Sequence, residues 1–249
     1  MPSKDSVVMA DHPTPQDREL YRGLANLAAR QMARRRRADG SDPDDEQKAD
    51  RDRWHAARTM ADLGSATADW LERRLPSLTG YEPGAGPDEE TTDLVPILAA
   101  LNRAGFVTTS SQPGCADDGD GWRQRAAVSG FVTARMMDRV QQLWKQMAES
   151  LNLAPAYPAR TPAGRWIEAS TDTVAVSQPS FPGGIVVTTH HDKTVTMFGR
   201  RLTRDDIAEM YPDCPSAWEA VAHATQLTVF DPEWGRNTLL WKVLEQLAG

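Results

Sequence analysis

Helical and strand-like segments alternate irregularly in this chain from about residue 54, and that order limits the folds it can adopt. Apolar residues recur with helical spacing near residues 54–75, 91–104, 136–151, 216–225 and 237–247. Strand-like runs lie near residues 106–109, 125–132, 166–169, 173–177, 185–189, 194–198 and 227–230. A doubly wound sheet needs strands and helices in regular alternation. The pattern therefore predicts a mixed α/β (α+β) domain, with mixed sheets flanked by helices, and not a Rossmann methyltransferase fold.

The first 52 residues are predicted to lie outside this domain. Residues 1–13 are polar and have no core pattern, so we expect a partly disordered tail. Thr14-Pro15 offers a capping hydroxyl and a proline at the first helical position, which predicts a helix running into the basic residues 34–37. A Gly-Ser-Asp-Pro linker follows. We therefore divide the chain into residues 1–52, a tail with a helical extension and linker, and residues 53–249, a single domain.

Charge and hydropathy exclude several classes of protein. The formal net charge of −7 argues against general nucleic-acid binding, which normally needs a basic surface. No apolar run is long enough to span a membrane, and the N-terminus lacks the hydrophobic stretch of a secretory signal. We expect a small molecule as the partner, and neither nucleic acid nor a membrane. A homodimer remains an open alternative.

The cysteines and histidines do not predict a metal site. Cys115 and Cys214 lie far apart and form no C-x-x-C motif, which indicates unpaired thiols and a reducing cytoplasm. His190, His191 and Asp192 are metal-ligating types, but adjacent strand residues point to opposite faces and cannot all converge. The glycine motifs G-x-G-x-x-G and G-x-x-x-x-G-K-[ST] and the hydrolase motif G-x-S-x-G are absent. We expect no metal.

Polar residues lie at the ends of the predicted helix near residue 91 and of the strand after it. Glu90 and Thr91 open the helix, Asn102 closes it, and Thr108 and Ser111 flank the end of the strand. Hydroxyls are common at helix caps and turns, so the pattern alone has an ordinary structural explanation. A carboxylate, hydroxyls and helix N-terminal amides together would also suit a ligand with a cationic centre, a ribose and an adenine.

The amino-acid sequence of this segment resembles that of a known family. Glu90-Thr91, followed after the helix by Asn-Arg-Ala-Gly-Phe-Val-Thr-Thr-Ser-Ser-Gln-Pro at residues 102–113, resembles the regulatory domain of eukaryotic methylenetetrahydrofolate reductase. That domain binds S-adenosylmethionine. The resemblance implies that Glu90, Thr91, Thr108 and Ser111 contact this ligand.

Further short matches follow in the same order. They are Gly121-Trp122, Gln124-Arg125-Ala126, Ala175-Val176-Ser177 with Phe181-Pro182-Gly183, Thr189, and the segment from Asn237 to Glu245. The resemblance implies that Ser177 and Thr189 are also ligand-binding residues, with Ser177 where the family has threonine. It covers roughly residues 54–249. The 53 residues before it are too few for a reductase barrel, so we expect a stand-alone domain.

The chain departs from the family after Thr189. The family has small aliphatic residues there, whereas this chain has His190 and His191. The departure brings a titratable imidazole close to the expected ligand, which makes both histidines candidate catalytic residues. Asp192 follows His191, and we expect its carboxylate to orient the ring of His191. The alternative is a pair of surface histidines on an exposed turn.

Three functions follow from the resemblance. The first is an S-adenosylmethionine-consuming lyase or cyclase, in which the ligand's own carboxylate, amine or α-carbon displaces methylthioadenosine. Its products would be homoserine lactone, azetidine-2-carboxylate or 1-aminocyclopropane-1-carboxylate, respectively, and catalysis would consist mainly of holding a reactive conformer. The second is a non-catalytic sensor of S-adenosylmethionine or S-adenosylhomocysteine that regulates a partner. The third is a methyltransferase.

Overall fold

A computed structural model describes residues 45–79, 86–87, 89–117, 119–150, 166–167, 175–177 and 184–249. The compact unit runs from Asp45 to Gly249. Within the described residues, helices pack on two small antiparallel sheets, so the predicted mixed α+β class is confirmed. The predicted tail and the helix opening at Thr14 lie outside the described residues.

The helices and strands have the following bounds. The helices are α1 (Asp45–Ala56), α2 (Met60–Leu71), α3 (Val95–Ala104), α4 (Ala134–Ser150), α5 (Arg204–Met210), α6 (Ala217–Val221) and α7 (Leu239–Ala248), and a 3-10 helix covers Glu89–Leu94. The strands are β1 (Phe106–Gln112), β2 (Trp122–Gln124), β3 (Ala127–Val132), β4 (Trp166–Ile167), β5 (Ala175–Ser177), β6 (Ile185–His190), β7 (Lys193–Phe198) and β8 (Thr225–Phe230).

The described strands form a five-stranded sheet in the order β1-β3-β8-β5-β4 and a three-stranded sheet in the order β2-β6-β7. Every pairing between these strands is antiparallel. Strand β1 is an edge of the five-stranded sheet, so polar side chains near its end can remain partly accessible.

The two faces of the five-stranded sheet are covered by different sets of elements, which have α2 in common. Phe106, Val128 and Val229 belong to a core with apolar residues of α3, α4 and α7, which defines the helix-covered face. On the opposite face, one core joins the sheet to α1, α2, α5 and α6, and another joins it to the three-stranded sheet. Adjacent strand residues alternate between these faces, so each polar residue can be assigned to one side.

Several predicted boundaries differ from the structure, and three of them concern α2, β3 and β1. The single helix expected over residues 54–75 is two helices, because Thr59 and Asp62 form a capping box that starts α2 anew. The strand expected over residues 125–132 begins at Ala127. Strand β1 continues beyond the predicted end at residue 109 to Gln112, because it pairs with β3 as far as Ala127.

Helix α5 was not predicted from the sequence. Its N-terminus carries a second capping box, formed by Thr203 and Asp206, and only Ile207 within the helix is fully buried. A helix of 7 residues with one buried apolar side chain has too little periodicity to be recognised. The capping pattern was its only local signal. Among the described residues, no helix is long and apolar enough to cross a membrane.

Candidate functional site

A β-bulge in β1 brings Thr108 and Ser111 to the same face of the sheet. Residues three apart in a regular strand point to opposite faces. Here β1 advances from Thr108 to Ser110 while β3 advances by one residue, from Gly130 to Ser129. Thr108 therefore lies opposite Gly130, and Ser111 opposite Val128. Cross-strand partners share a face, so both hydroxyls lie on the helix-covered side, where Val128 is part of the core.

Asn102 connects the end of α3 to Thr108. Its Nδ2 donates to the carbonyl of Leu98 and to Oγ1 of Thr108, both at 2.8 Å. Its Oδ1 accepts from the backbone N–H of Thr108 at 3.0 Å. Asn102 is 1% exposed, so these hydrogen bonds are shielded from water. The Thr108 hydroxyl accepts the hydrogen bond from Asn102, so its own O–H can donate to another partner.

The chain reverses between α3 and β1 at Gly105. This residue has φ 101°, and its backbone N–H donates back to the end of the helix. A Cβ there would lie 2.7 Å from Oγ1 of Thr133. The left-handed conformation and the close neighbour both favour glycine at this position. The helix ends at Ala104, as predicted from the sequence.

Glu90 and Thr91 lie on the 3-10 helix that leads into α3 and contacts β1. Thr91 is 7% exposed, whereas Glu90 is exposed. Leu94, at the end of the same helix, packs in the core of the helix-covered face. The 3-10 helix therefore contacts β1 from the N-terminal end of α3, while Asn102 binds Thr108 at the C-terminal end of α3. We call Glu90, Thr91, Asn102, Thr108 and Ser111 the β1 site.

Ser177 is separated from the β1 site by the order of the strands. It lies on β5 and pairs in register with Thr228 of β8. Three strand spacings separate β5 from β1, which corresponds to about 14 Å. The structure does not bring Ser177 next to Ser111.

Thr189 lies on the three-stranded sheet, opposite Arg123 of β2 and Thr194 of β7. It is 7% exposed, and its Oγ1 has no hydrogen-bond partner among the described residues. The three-stranded sheet packs on the face of the five-stranded sheet that is opposite the β1 site. Thr189 is therefore on the opposite side of that sheet from the β1 site.

The two candidate catalytic histidines lie at the turn between β6 and β7. His190 ends β6 and stacks on Trp122, with ring centroids 4.4 Å apart. His191 and Asp192 have φ 47° and 61°, which is the geometry of a type I′ hairpin turn. The carboxylate of Asp192, expected to orient the ring of His191, forms an ion pair with Arg123 instead. His191 is exposed, and its backbone N–H donates to the carbonyl of Gly121.

Gln112 connects the two sheets and was not singled out in the sequence. It is 6% exposed; its Nε2 donates to the carbonyls of Arg125 and Val187, and its Oε1 accepts from the hydroxyl of Thr188. A buried amide with three partners holds β6 against the end of β1. Its sequence signal is weak, because a glutamine before a proline reads as part of a turn.

A second group of polar residues missed in the sequence surrounds the loop after β8. The guanidinium of Arg125 lies over the ring of Trp234, 4.2 Å from its centroid, and that of Arg123 lies 5.5 Å from the same ring. Asp231 is fully buried and accepts two hydrogen bonds from Arg236 at 2.6 and 2.7 Å. In the described parts of the chain, no group of three or more histidine, cysteine or acidic side chains could hold a metal ion.

The chain was compared with protein families and with curated proteins. No curated protein matches it. Residues 49–249 match one family model, which is described as a domain of unknown function (DUF6919). This match begins within α1 and continues to residue 249, so it includes the β1 site and the polar residues of the three-stranded sheet. Because it spans most of the sequence, the chain belongs to the DUF6919 family.

Proposed function

We propose that this domain binds S-adenosylmethionine or S-adenosylhomocysteine at the β1 site. The observation that carries the proposal is the bulge, which turns Thr108 and Ser111 to one face beside Asn102 and the 3-10 helix. The family resemblance implied these positions as ligand residues. A regular strand would have separated the two hydroxyls.

The residue types of the β1 site fit the chemistry of this ligand. Thr108 and Ser111 are partly buried, so their hydroxyls can bind a ribose or a carboxylate while they remain accessible. Glu90 is exposed on the adjacent 3-10 helix and provides a negative charge for the sulfonium or the amine. The ligand's charge and hydroxyls would each meet a complementary group.

Conversion of the bound ligand is a second candidate function. The burial of Thr91 and Asn102 favours it, because a ligand held against them is partly shielded from water. The ligand's own carboxylate, amine or α-carbon would attack the aminobutyryl carbon attached to sulfur, the carbon–sulfur bond would break, and methylthioadenosine would leave. Attack by the carboxylate needs no proton transfer, whereas attack by the amine or the α-carbon would also release a proton. His190 and His191 lie at the β6–β7 turn and not at the β1 site. Catalysis would therefore consist mainly of holding the ligand in a reactive conformer.

Thermal unfolding of the full-length chain tests binding. A ligand present at a hundred times its dissociation constant stabilises the native state by about 2.7 kcal/mol. We expect a rise in melting temperature with S-adenosylmethionine or S-adenosylhomocysteine, and none with adenosine-free cations such as choline. A melting temperature that millimolar amounts of both compounds leave unchanged would refute the proposal.

Chromatography of the reaction mixture tests conversion. Pure protein is incubated with S-adenosylmethionine, and methylthioadenosine is measured against a sample without protein. Release above that background supports the lyase or cyclase. Binding without release identifies a sensor, and transfer of the methyl group to an added acceptor identifies a methyltransferase.

The cysteines support a cytoplasmic location for this function. Cys115 and Cys214 are both free thiols, one exposed and one buried. Burial raises the pKa of the Cys214 thiol, which keeps it protonated and unreactive. An exposed free thiol is typical of a protein kept in a reducing compartment.

A further inference from the structure

The hydroxyl of Thr189 is a buried polar group without a partner. Its Oγ1 accepts and donates no hydrogen bond among the described residues, although the residue is only 7% exposed. Buried hydroxyls are almost always hydrogen-bonded to protein or to an ordered molecule. The cost of leaving one unpaired indicates that a further group, such as a water molecule or a ligand, completes this position.

A second unpaired donor lies on the neighbouring strand. Arg125 follows β2, and its backbone N–H continues the pairing by donating to the carbonyl of Val187 at 2.8 Å. Its Nη1 donates to the carbonyl of Val186 at 3.3 Å, while its Nε is buried and has no partner in the described structure. The guanidinium lies over Trp234, which fixes the plane of its donors.

Strand register brings these two groups to the same side of the three-stranded sheet. Thr189 lies directly opposite Arg123, and directly opposite residues share a face. Arg125 is two residues beyond Arg123, so it points to that face as well. Diagonal neighbours on paired strands are about 7–8 Å apart, within reach of an arginine side chain.

Within the part of the chain that the structure describes, Arg125 has no carboxylate partner. Asp231 uses both oxygens to accept from Arg236, and Asp192 forms an ion pair with Arg123. Burial lowers the pKa of Arg125, nearby Asp231 partly offsets this, and the positive charge of Arg123 lowers it further. A bound anion would relieve both the desolvation and the repulsion between the two guanidinium groups.

We propose that Arg123, Arg125 and Thr189 form a binding site for an oxyanion, the carboxylate or phosphate group of a small molecule. We call these residues the β6 site. Arg125 and Arg123 supply charged donors, the Thr189 hydroxyl donates to the same group, and Trp234 holds the guanidinium of Arg125 in place. This proposal goes beyond the proposed function, because the β6 site lies on the other side of the five-stranded sheet from the β1 site.

Titration of the full-length chain with inorganic phosphate, and separately with acetate, tests this proposal at constant ionic strength. The readout is the ¹H–¹⁵N signal of Arg125 Nε, which is assigned by its loss in Arg125→Gln. We expect a saturable shift with at least one probe, and the probe that binds more tightly distinguishes a phosphate from a carboxylate site. No saturable shift with either probe at millimolar concentrations would overturn the proposal.

Two further variants are included so that the test does not depend on whether Arg125→Gln folds. Thr189→Val removes only the hydroxyl, and we expect it to weaken the probe about fivefold, the value of one hydrogen bond. Arg204→Gln removes an arginine from an exposed ion pair with Glu219 and should leave probe binding unchanged. Weakening in Arg204→Gln would show a general charge effect, and unchanged binding in Thr189→Val would contradict the site. Binding of S-adenosylhomocysteine is measured in the same samples. A lack of anion binding at the β6 site is thereby distinguished from a lack of ligand binding at the β1 site.

Discussion

At the scale of single residues, the position of one extra amino acid decides what β1 can bind. Thr109 is the extra residue of the bulge, and its hydroxyl donates to the carbonyl of Ser129. If Thr109 were paired as in a regular strand instead of forming the bulge, Ser111 would face the opposite side of the sheet from Thr108. The pairing of the two strands, and not the local sequence, determines where the extra residue is accommodated. The motif could therefore be recognised in the sequence, but the geometry that unites its hydroxyls could not.

The role of the Glu90 charge can be tested by comparing the affinities of the two proposed ligands. S-adenosylmethionine carries a sulfonium and S-adenosylhomocysteine a neutral thioether. If Glu90 faces the sulfonium, Glu90→Gln should weaken S-adenosylmethionine about fivefold more than S-adenosylhomocysteine, equivalent to about 1 kcal/mol. The matched control is Asp93→Asn, an exposed acid on the same 3-10 helix. Affinities for both ligands that fall equally in both variants would argue against a direct role.

The histidines show what sequence reasoning can miss at this scale. His191 and Asp192 both have positive φ, although the turn contains neither glycine nor asparagine. Nothing in the local sequence predicts that Asp192 pairs with Arg123 across the hairpin. The expected contact between Asp192 and His191 assumed local pairing, whereas an arginine on a neighbouring strand binds the carboxylate.

At the scale of elements, capping boxes set the helix boundaries. Thr59 with Asp62 begins α2, and Thr203 with Asp206 begins α5. Each pair binds backbone N–H groups that the first helical turn leaves unpaired. The long helices with clear apolar stripes could be predicted from the sequence. The short helix α5 could not, because its stability depends on packing and capping more than on periodicity.

The capping carboxylate of Asp206 predicts a pH dependence. Burial raises its pKa, but hydrogen bonds from Arg200 and Thr203 lower it more, to about 2. Because its folded-state pKa is below the unfolded value, Asp206 stabilises the fold above about pH 4. That contribution is lost as the pH falls towards about 2.

Urea unfolding at several pH values checks this expectation. Asp206→Asn should be less stable than wild type at neutral pH, and the difference should shrink between about pH 4 and pH 2. Asp205→Asn, on the same helical turn, controls for the general effect of removing a charge. A difference for Asp206→Asn that stays constant over this range would show that its carboxylate is not responsible.

The packing of α2 against α3 depends on Gly64. A Cβ there would lie 2.2 Å from the backbone carbonyl oxygen of Asn102, a contact that requires the helices to move apart. Gly64→Ala should therefore destabilise the domain by about 1–3 kcal/mol, although alanine favours helix formation. The measurement is the free energy of unfolding in urea. Ala61→Ser, exposed on the same helix, should cost about 0.5 kcal/mol or less, and an equal loss in both variants would contradict the close approach.

At the scale of the whole molecule, the class of fold could be predicted and the strand order could not. Apolar periodicity and glycine positions indicated most elements, including the end of α3 at Gly105. Strand order depends on long-range pairing, which local patterns do not encode. The family resemblance groups Ser177 and Thr189 with Ser111 in one ligand site, whereas β5 and the three-stranded sheet hold them away from β1.

A shortened chain tests whether the domain is sufficient for binding. The compact unit begins at Asp45, and the family match begins at residue 49. We expect a chain of residues 45–249 to unfold cooperatively and to bind S-adenosylhomocysteine with the affinity of the full-length chain. Calorimetry of both chains measures this. A folded short chain with weaker binding would show that residues 1–44 contribute to the site.

Isothermal titration calorimetry with S-adenosylhomocysteine on wild type, Ser111→Ala and Ser110→Ala tests the central claim most directly. Ser111 lies on the helix-covered face with Thr108, whereas Ser110 is its exposed neighbour and pairs with Ser129 on the other face. We predict that wild type binds, that Ser111→Ala weakens binding about fivefold, and that Ser110→Ala leaves it unchanged. No binding by folded wild type, or equal weakening in both variants, would contradict the ligand site at β1.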